Sequence, residues 1–107
     1  MTTMKRPKRI STPIMELLSI VALDTKISKK KMLSNLPDES VADARHRAMA
    51  LAAQAGHGLD AIASVFGFDP AAVKDAIDGI EHQRRADSRL DDWFCGYSLV
   101  LTVPVDG

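Results

Sequence analysis

The sequence predicts a mainly α protein, with a trihelical core, an N-terminal helix ahead of it and a short C-terminal β-strand behind it. Three observations carry this expectation. Alanine is abundant in the middle of the chain, and the aromatic residues are confined to Phe66, Phe68, Trp93, Phe94 and Tyr97, a composition that favours close-packed helices over a large sheet. Apolar residues recur at helical spacing over most of the length. Residues 98–105, by contrast, are dense in β-branched side chains and are ended by proline and glycine, as a strand would be.

Residues 1–11 hold Lys5, Arg6, Lys8 and Arg9 with little apolar content, which is the composition of a flexible basic arm. Residues 12–37 form an N-terminal helical segment. Thr12 offers an N-cap and Pro13 suits a first helical position, after which Ile14, Leu17, Leu18 and Val21 lie on one face and the helix fades near Asp24. Ser28 can cap a second, short helix from Lys29 to Asn35, ended by Pro37. Residues 38–86 are the trihelical unit. It begins at Asp38 or Glu39 with a buried stripe of Val41, Ala44, Ala48, Leu51, Ala52 and Ala55, opposite Asp43, His46, Arg47 and Gln54. Gly56-His57-Gly58 ends that helix. Residues 87–107 are the C-terminal strand segment.

Leu59 to Asp78 carry the functional inference. Two short helices that cross steeply need a small residue inside the first, a residue tolerant of positive φ in the turn, and apolar residues to fill the wedge. Ile62 and Phe66 share a face, Ala63 is small at the crossing, Gly67 opens the turn and Phe68 fills the space behind it. Asp69 then caps and Pro70 starts a helix with Val73, Ala76, Ile77 and Ile80 as its apolar stripe.

The run LDAIASVFGFDPAAVKDAID resembles the helix-turn-helix of bacterial, phage and plasmid transcriptional regulators. That resemblance implies a DNA-binding role, commonly as a repressor, with the helix from Pro70 in the major groove of double-stranded DNA. Asp69, Ala71, Ala72, Lys74, Asp75 and Asp78 would then face the bases. Three carboxylates against one lysine make this a poor phosphate-binding surface, although a carboxylate can accept from a cytosine amine and an alanine can touch a thymine methyl. Affinity has to come from the arm (Lys5, Arg6, Lys8, Arg9), from Lys29 to Lys31, and from Arg84, Arg85 and Arg89 beyond the recognition helix. The alternative is a protein-interaction module, such as a phage- or plasmid-encoded inhibitor, that keeps the helical scaffold and presents its acidic helix to a basic partner.

The charge distribution is polarised. Residues 1–31 carry a net +6 and the remainder a net −6, within a formal total of zero. A basic arm on an acidic body can grip phosphates or the body of a second copy. An isolated C-terminal strand cannot satisfy its own backbone, so pairing with the same strand of a second copy is the expected route to a homodimer, with the two-fold symmetry that palindromic operators need. With one cysteine, Cys95, an internal disulfide is impossible and a thiolate zinc site has too few ligands; Cys95 reads as a small, half-buried apolar residue.

His46, His57 and His82 lack metal-ligand spacing and read as surface or partly buried imidazoles. Gly56-His57-Gly58 lacks the strand and the lysine of a phosphate-binding loop. Ser88, Asp91 and Asp92 have no identifiable base or oxyanion partner, so no enzyme, cofactor or metal is expected. No apolar run approaches the ~20 residues of a membrane span and the basic N-terminus lacks a signal-peptide pattern, which predicts a cytoplasmic protein with no membrane partner.

Overall fold

The computed structural model describes the backbone of residues 9–104 and the side chains of residues 12–97. The chain forms six helices among the described residues: α1 Ile14–Thr25, α2 Lys29–Met32, α3 Glu39–Gln54, α4 Leu59–Phe66, α5 Pro70–Ala86 and α6 Ser88–Leu101. The basic arm falls mostly outside this range, including Lys5, Arg6 and Lys8. Of Arg9, only the backbone is described.

α3 is the central strut, and α1, α2, α4 and α5 all pack against it. Asp38 starts it by accepting from the backbone N–H of Ser40 (2.8 Å) and of Val41 (3.1 Å), which satisfies two donors that the first turn leaves open. Every residue of the expected stripe, from Val41 to Ala55, is buried. The small alanines let α1 and α5 approach from two sides, and Leu17, Leu18, Val21, Val73 and Ile80 complete the core there. α2 is capped by the Ser28 hydroxyl, which accepts from Lys31 N (3.2 Å). It stops at Met32, short of Asn35. α1 begins at Ile14 with Pro13, rather than Thr12, in the N-cap position.

The α4–α5 connection has the geometry that its residues demand. Gly67 sits at φ 73°, and both its N–H and that of Phe68 return to the carbonyl of Ala63 (2.8 and 3.1 Å). Ala63 is buried at this closure and a branched side chain would collide there. Pro70 occupies the first turn of α5. Asp69 holds the N-cap position, but its side chain makes no capping hydrogen bond.

The C-terminal strand expected over residues 98–105 is not formed over residues 98–101, and Val105 lies outside the described residues. The chain is helical through Leu101, and only Thr102–Pro104 is extended. Its short antiparallel partner is Arg9–Ser11 of the same chain, which removes the basis for a dimer built on shared strands. The cause is a helical stripe that outweighs local β-propensity: Leu90 and Phe94 are buried, Trp93 and Tyr97 pack against the core, and these four stand at i, i+4, i+3 and i+7. Asp87 starts the helix sharply, accepting from the N–H groups of Arg89 (3.0 Å) and Leu90 (3.3 Å). Cys95 lies on the open side of α6 and is exposed, not half-buried.

Ala63→Leu is expected to lower unfolding stability by ~1 to 3 kcal/mol through overpacking at the α4–α5 closure. Urea unfolding followed by circular dichroism measures this, and an unchanged midpoint would contradict the packing described here.

Candidate nucleic-acid interface

The six residues expected to face bases lie together. Asp69, Ala71, Ala72, Lys74, Asp75 and Asp78 are all exposed along the first half of α5. Their electrostatics differ from a simple count, because Lys74 Nζ donates to the Asp78 carboxylate at 2.8 Å, one helical turn away. That hydrogen bond and the adjacent negative charge hold the Lys74 ammonium above the ordinary lysine pKa. The face therefore offers Asp69 and Asp75 as carboxylates with no ion pair among the described residues, and a cation already occupied by its neighbour.

Arg84 and Arg85 are not brought to this face. At a rise of about 1.5 Å per residue they stand roughly 20 Å along the helix from Pro70. Arg84 is a structural side chain with only 15% of its surface exposed. Its Nε donates to Asp91 (2.8 Å), its Nη1 to Gln54 (3.2 Å) and Glu81 (3.5 Å), and its guanidinium lies 4.8 Å from the centre of the Phe94 ring. Gln54 in turn donates to the Phe94 carbonyl at 2.7 Å. This network locks α6 to α3 and α5. Arg85 and Arg89 are exposed at the same distal end.

The lysine run is placed better. Lys29, Lys30 and Lys31 are exposed on α2 and make no ion pair among the described residues. The segment that leaves α2, Leu33 to Asn35, lines a cleft together with Gly67, Phe68, Asp69 and Ala72. One wall of this cleft is thus the exit of the basic helix, and the other is the turn and first residues of α5. Arg45 fixes that relation. Although it lies on the buried side of α3 and is only 5% exposed, its Nε donates to Met32 O and its Nη2 to Ser34 O, both at 2.9 Å, while its guanidinium stacks 5.4 Å from the centre of the Phe68 ring. The planar fork of arginine is suited to two acceptors and one ring face together. No known protein family, curated protein or solved structure matches this chain.

Arg45 is not among the residues singled out from the sequence; the signal that could have found it is a lone charge on the buried stripe Val41, Arg45, Ala48 and Ala52, at spacings of four, three and four. His46 and His57 are partly buried. His57 donates from Nε2 to the Thr12 carbonyl (2.7 Å), joining the α3–α4 loop to the entry of α1. His46 is half-buried beside Ala72, Asp75, Ala76 and Gly79 in a groove between α3 and α5. Burial lowers its pKa below 6.5, the neighbouring Arg45 lowers it further, and Asp43 opposes both. His82 is exposed on α5. Among the described residues no cluster of His, Cys, Asp or Glu could hold a metal ion, and no helix is long and apolar enough to cross a membrane.

Arg45→Ala strands two carbonyls in a buried setting and is expected to destabilise by about 2 to 4 kcal/mol. Arg45→Lys should recover less than half of this in urea titrations, because one ammonium cannot reproduce the fork; full recovery would deny it that role. For His46 the folded pKa is depressed, so its contribution to stability is complete above the unfolded value of 6.5 and is lost as pH falls through the lower folded value. Urea midpoints should therefore drop less between neutral pH and pH ~5 in His46→Gln than in the parent, and equal drops would show that His46 is not the group responsible.

Proposed function

We propose that this chain binds double-stranded DNA as a non-enzymatic regulator of the helix-turn-helix type, with the first half of α5 in the major groove and the lysines of α2 on flanking phosphates. The observation that carries the reading is the shared cleft, in which the exit of α2 borders the Gly67–Asp69 turn and Ala72. Three exposed lysines without ion-pair partners among the described residues can each displace a condensed counterion from a phosphate. They supply the positive charge that the face of α5 lacks.

Division of labour follows from this arrangement. Ala71 and Ala72 are small enough for close approach and suit contact with a thymine methyl, while Asp69 and Asp75 can accept from exocyclic amines of cytosine. Such contacts give sequence preference with little affinity, so binding depends strongly on α2 and on the arm residues Lys5, Arg6, Lys8 and Arg9. Repression is the simplest outcome of such binding, since occupying a promoter requires no further contact. The acidic character of α5 favours a second reading, in which Asp75, Asp78 and Glu81 meet a basic protein surface.

One set of measurements separates the two. Selection from a random duplex pool, followed by fluorescence anisotropy over a range of salt, should yield a preferred site. Replacing Lys29, Lys30 and Lys31 by alanine should weaken binding to all duplexes and reduce the slope of log K against log salt by roughly 2 to 3. Asp78→Asn frees Lys74 and should tighten general DNA binding. A protein-binding role would instead give no duplex binding even at low salt, and that result would overturn the DNA reading.

A further inference from the structure

Between α2 and α3 the backbone is anchored on both sides of one exposed side chain. Ser34 is fixed three ways: its N–H and its hydroxyl both donate to the Lys31 carbonyl (3.1 and 2.6 Å), and its own carbonyl accepts from Arg45 Nη2 at 2.9 Å. Beyond it, Leu36 N donates back to the Ser34 hydroxyl at 3.4 Å, Pro37 fixes its own φ and restricts Leu36, and Asp38 caps α3. Asn35 lies between these anchors. It is exposed and makes no hydrogen bond or ion pair among the described residues. It also lines the cleft whose other wall is Gly67, Phe68, Asp69 and Ala72, and so stands beside two of the residues assigned to bases.

We propose that Asn35 reads an adenine at the edge of the α5 contact, so that the preferred duplex carries an A·T pair at that position. The inference rests on the DNA reading and names the base that this part of the site selects. A carboxamide holds an acceptor and a donor side by side, and the major-groove edge of adenine holds the matching pair, the N6 amine and N7. Guanine presents two acceptors, thymine an acceptor and a methyl, and cytosine a lone donor, so none of them satisfies both ends. A phosphate is a poorer partner. It only accepts, which leaves the amide oxygen facing an anion. Asp69, in the same cleft, repels a phosphate but not a neutral base edge. Phosphates fall instead to Lys29, Lys30 and Lys31, four to six residues earlier in the chain.

Ala72 completes the match from the opposite wall. It suits a thymine methyl, and an A·T pair shows the adenine edge and that methyl in the same groove. Because the backbone on either side of Asn35 is already fixed, seating it on a base costs little beyond the freedom of its own side-chain torsions.

The test uses the full chain and the duplex obtained from the random pool. Changing each base pair of that duplex in turn should locate one A·T pair whose loss weakens parent binding roughly five- to a hundredfold. Asn35→Ala should lose that discrimination, bind unrelated duplexes like the parent and melt like the parent. Placing 7-deazaadenine at the same position removes the N7 acceptor alone. It should weaken the parent and leave Asn35→Ala unaffected, a coupling that a merely structural asparagine would not produce; the measurement on the parent needs no variant and so does not depend on how Asn35→Ala folds. Asn35→Asp can only accept and should move the preference from adenine towards cytosine. A preferred site without adenine, a parent indifferent to 7-deazaadenine at every adenine, a 7-deazaadenine effect that persists in Asn35→Ala, or an Asn35→Ala loss equal on all duplexes overturns the assignment and leaves the DNA reading standing. Absence of duplex binding at low salt overturns both.

Discussion

A buried guanidinium organises the N-terminal half of this protein. Removing a positive charge from water is expensive unless polar groups replace the lost hydration, and Arg45 finds them in the carbonyls of Met32 and Ser34 and in the face of Phe68. Each partner belongs to a different piece of chain. Met32 ends α2, Ser34 belongs to the loop that follows, and Phe68 lies in the turn between α4 and α5. One side chain on α3 thereby sets the position of the lysine-bearing helix relative to the start of α5. The lysine side chains make no ion pair among the described residues, which leaves their ammonium groups available.

The same logic of committed charge explains which cations are available elsewhere. Arg84 is held by Asp91, Gln54, Glu81 and the Phe94 ring, and Arg47 by Asp24 and Asp43 (3.4 Å each) and by the Trp93 ring (5.7 Å). Such partly covered contacts join elements distant in sequence: Arg47 links α1, α3 and α6, and Arg84 links α3, α5 and α6. The exposed Lys74–Asp78 pair is different in kind, since solvent screens it and its contribution to stability is small. Its effect is on the surface potential of α5.

Helices α1, α3, α4 and α5 were legible because each buries one face, and a stripe repeating every three or four residues is an unambiguous record of that. The turn was legible because Gly67 permits a positive φ and Pro70, three residues later, fixes φ at a helical value. α6 was obscured because its last residues, Ser98 to Leu101, have the local composition of a strand, while the aromatic stripe that decides the matter begins eight residues earlier at Leu90. Local propensity and tertiary packing disagreed, and packing prevailed. Within the candidate interface, the exposure of Asp69 to Asp78 followed from the apolar stripe on their opposite side. The occupation of Arg84 could not be read, because Gln54 is 30 residues away and only the fold brings the two together.

The meeting of residues 9–11 with residues 102–104 has a topological consequence. Entry and exit of the helical unit lie side by side, and the His57 to Thr12 hydrogen bond holds the entry against the body. Chain ends that emerge from one point can be spliced into a loop of a host protein without prying it apart, or joined by a short linker and reopened elsewhere. The points where the helical unit is entered and left are thus joined by one short ladder of backbone hydrogen bonds.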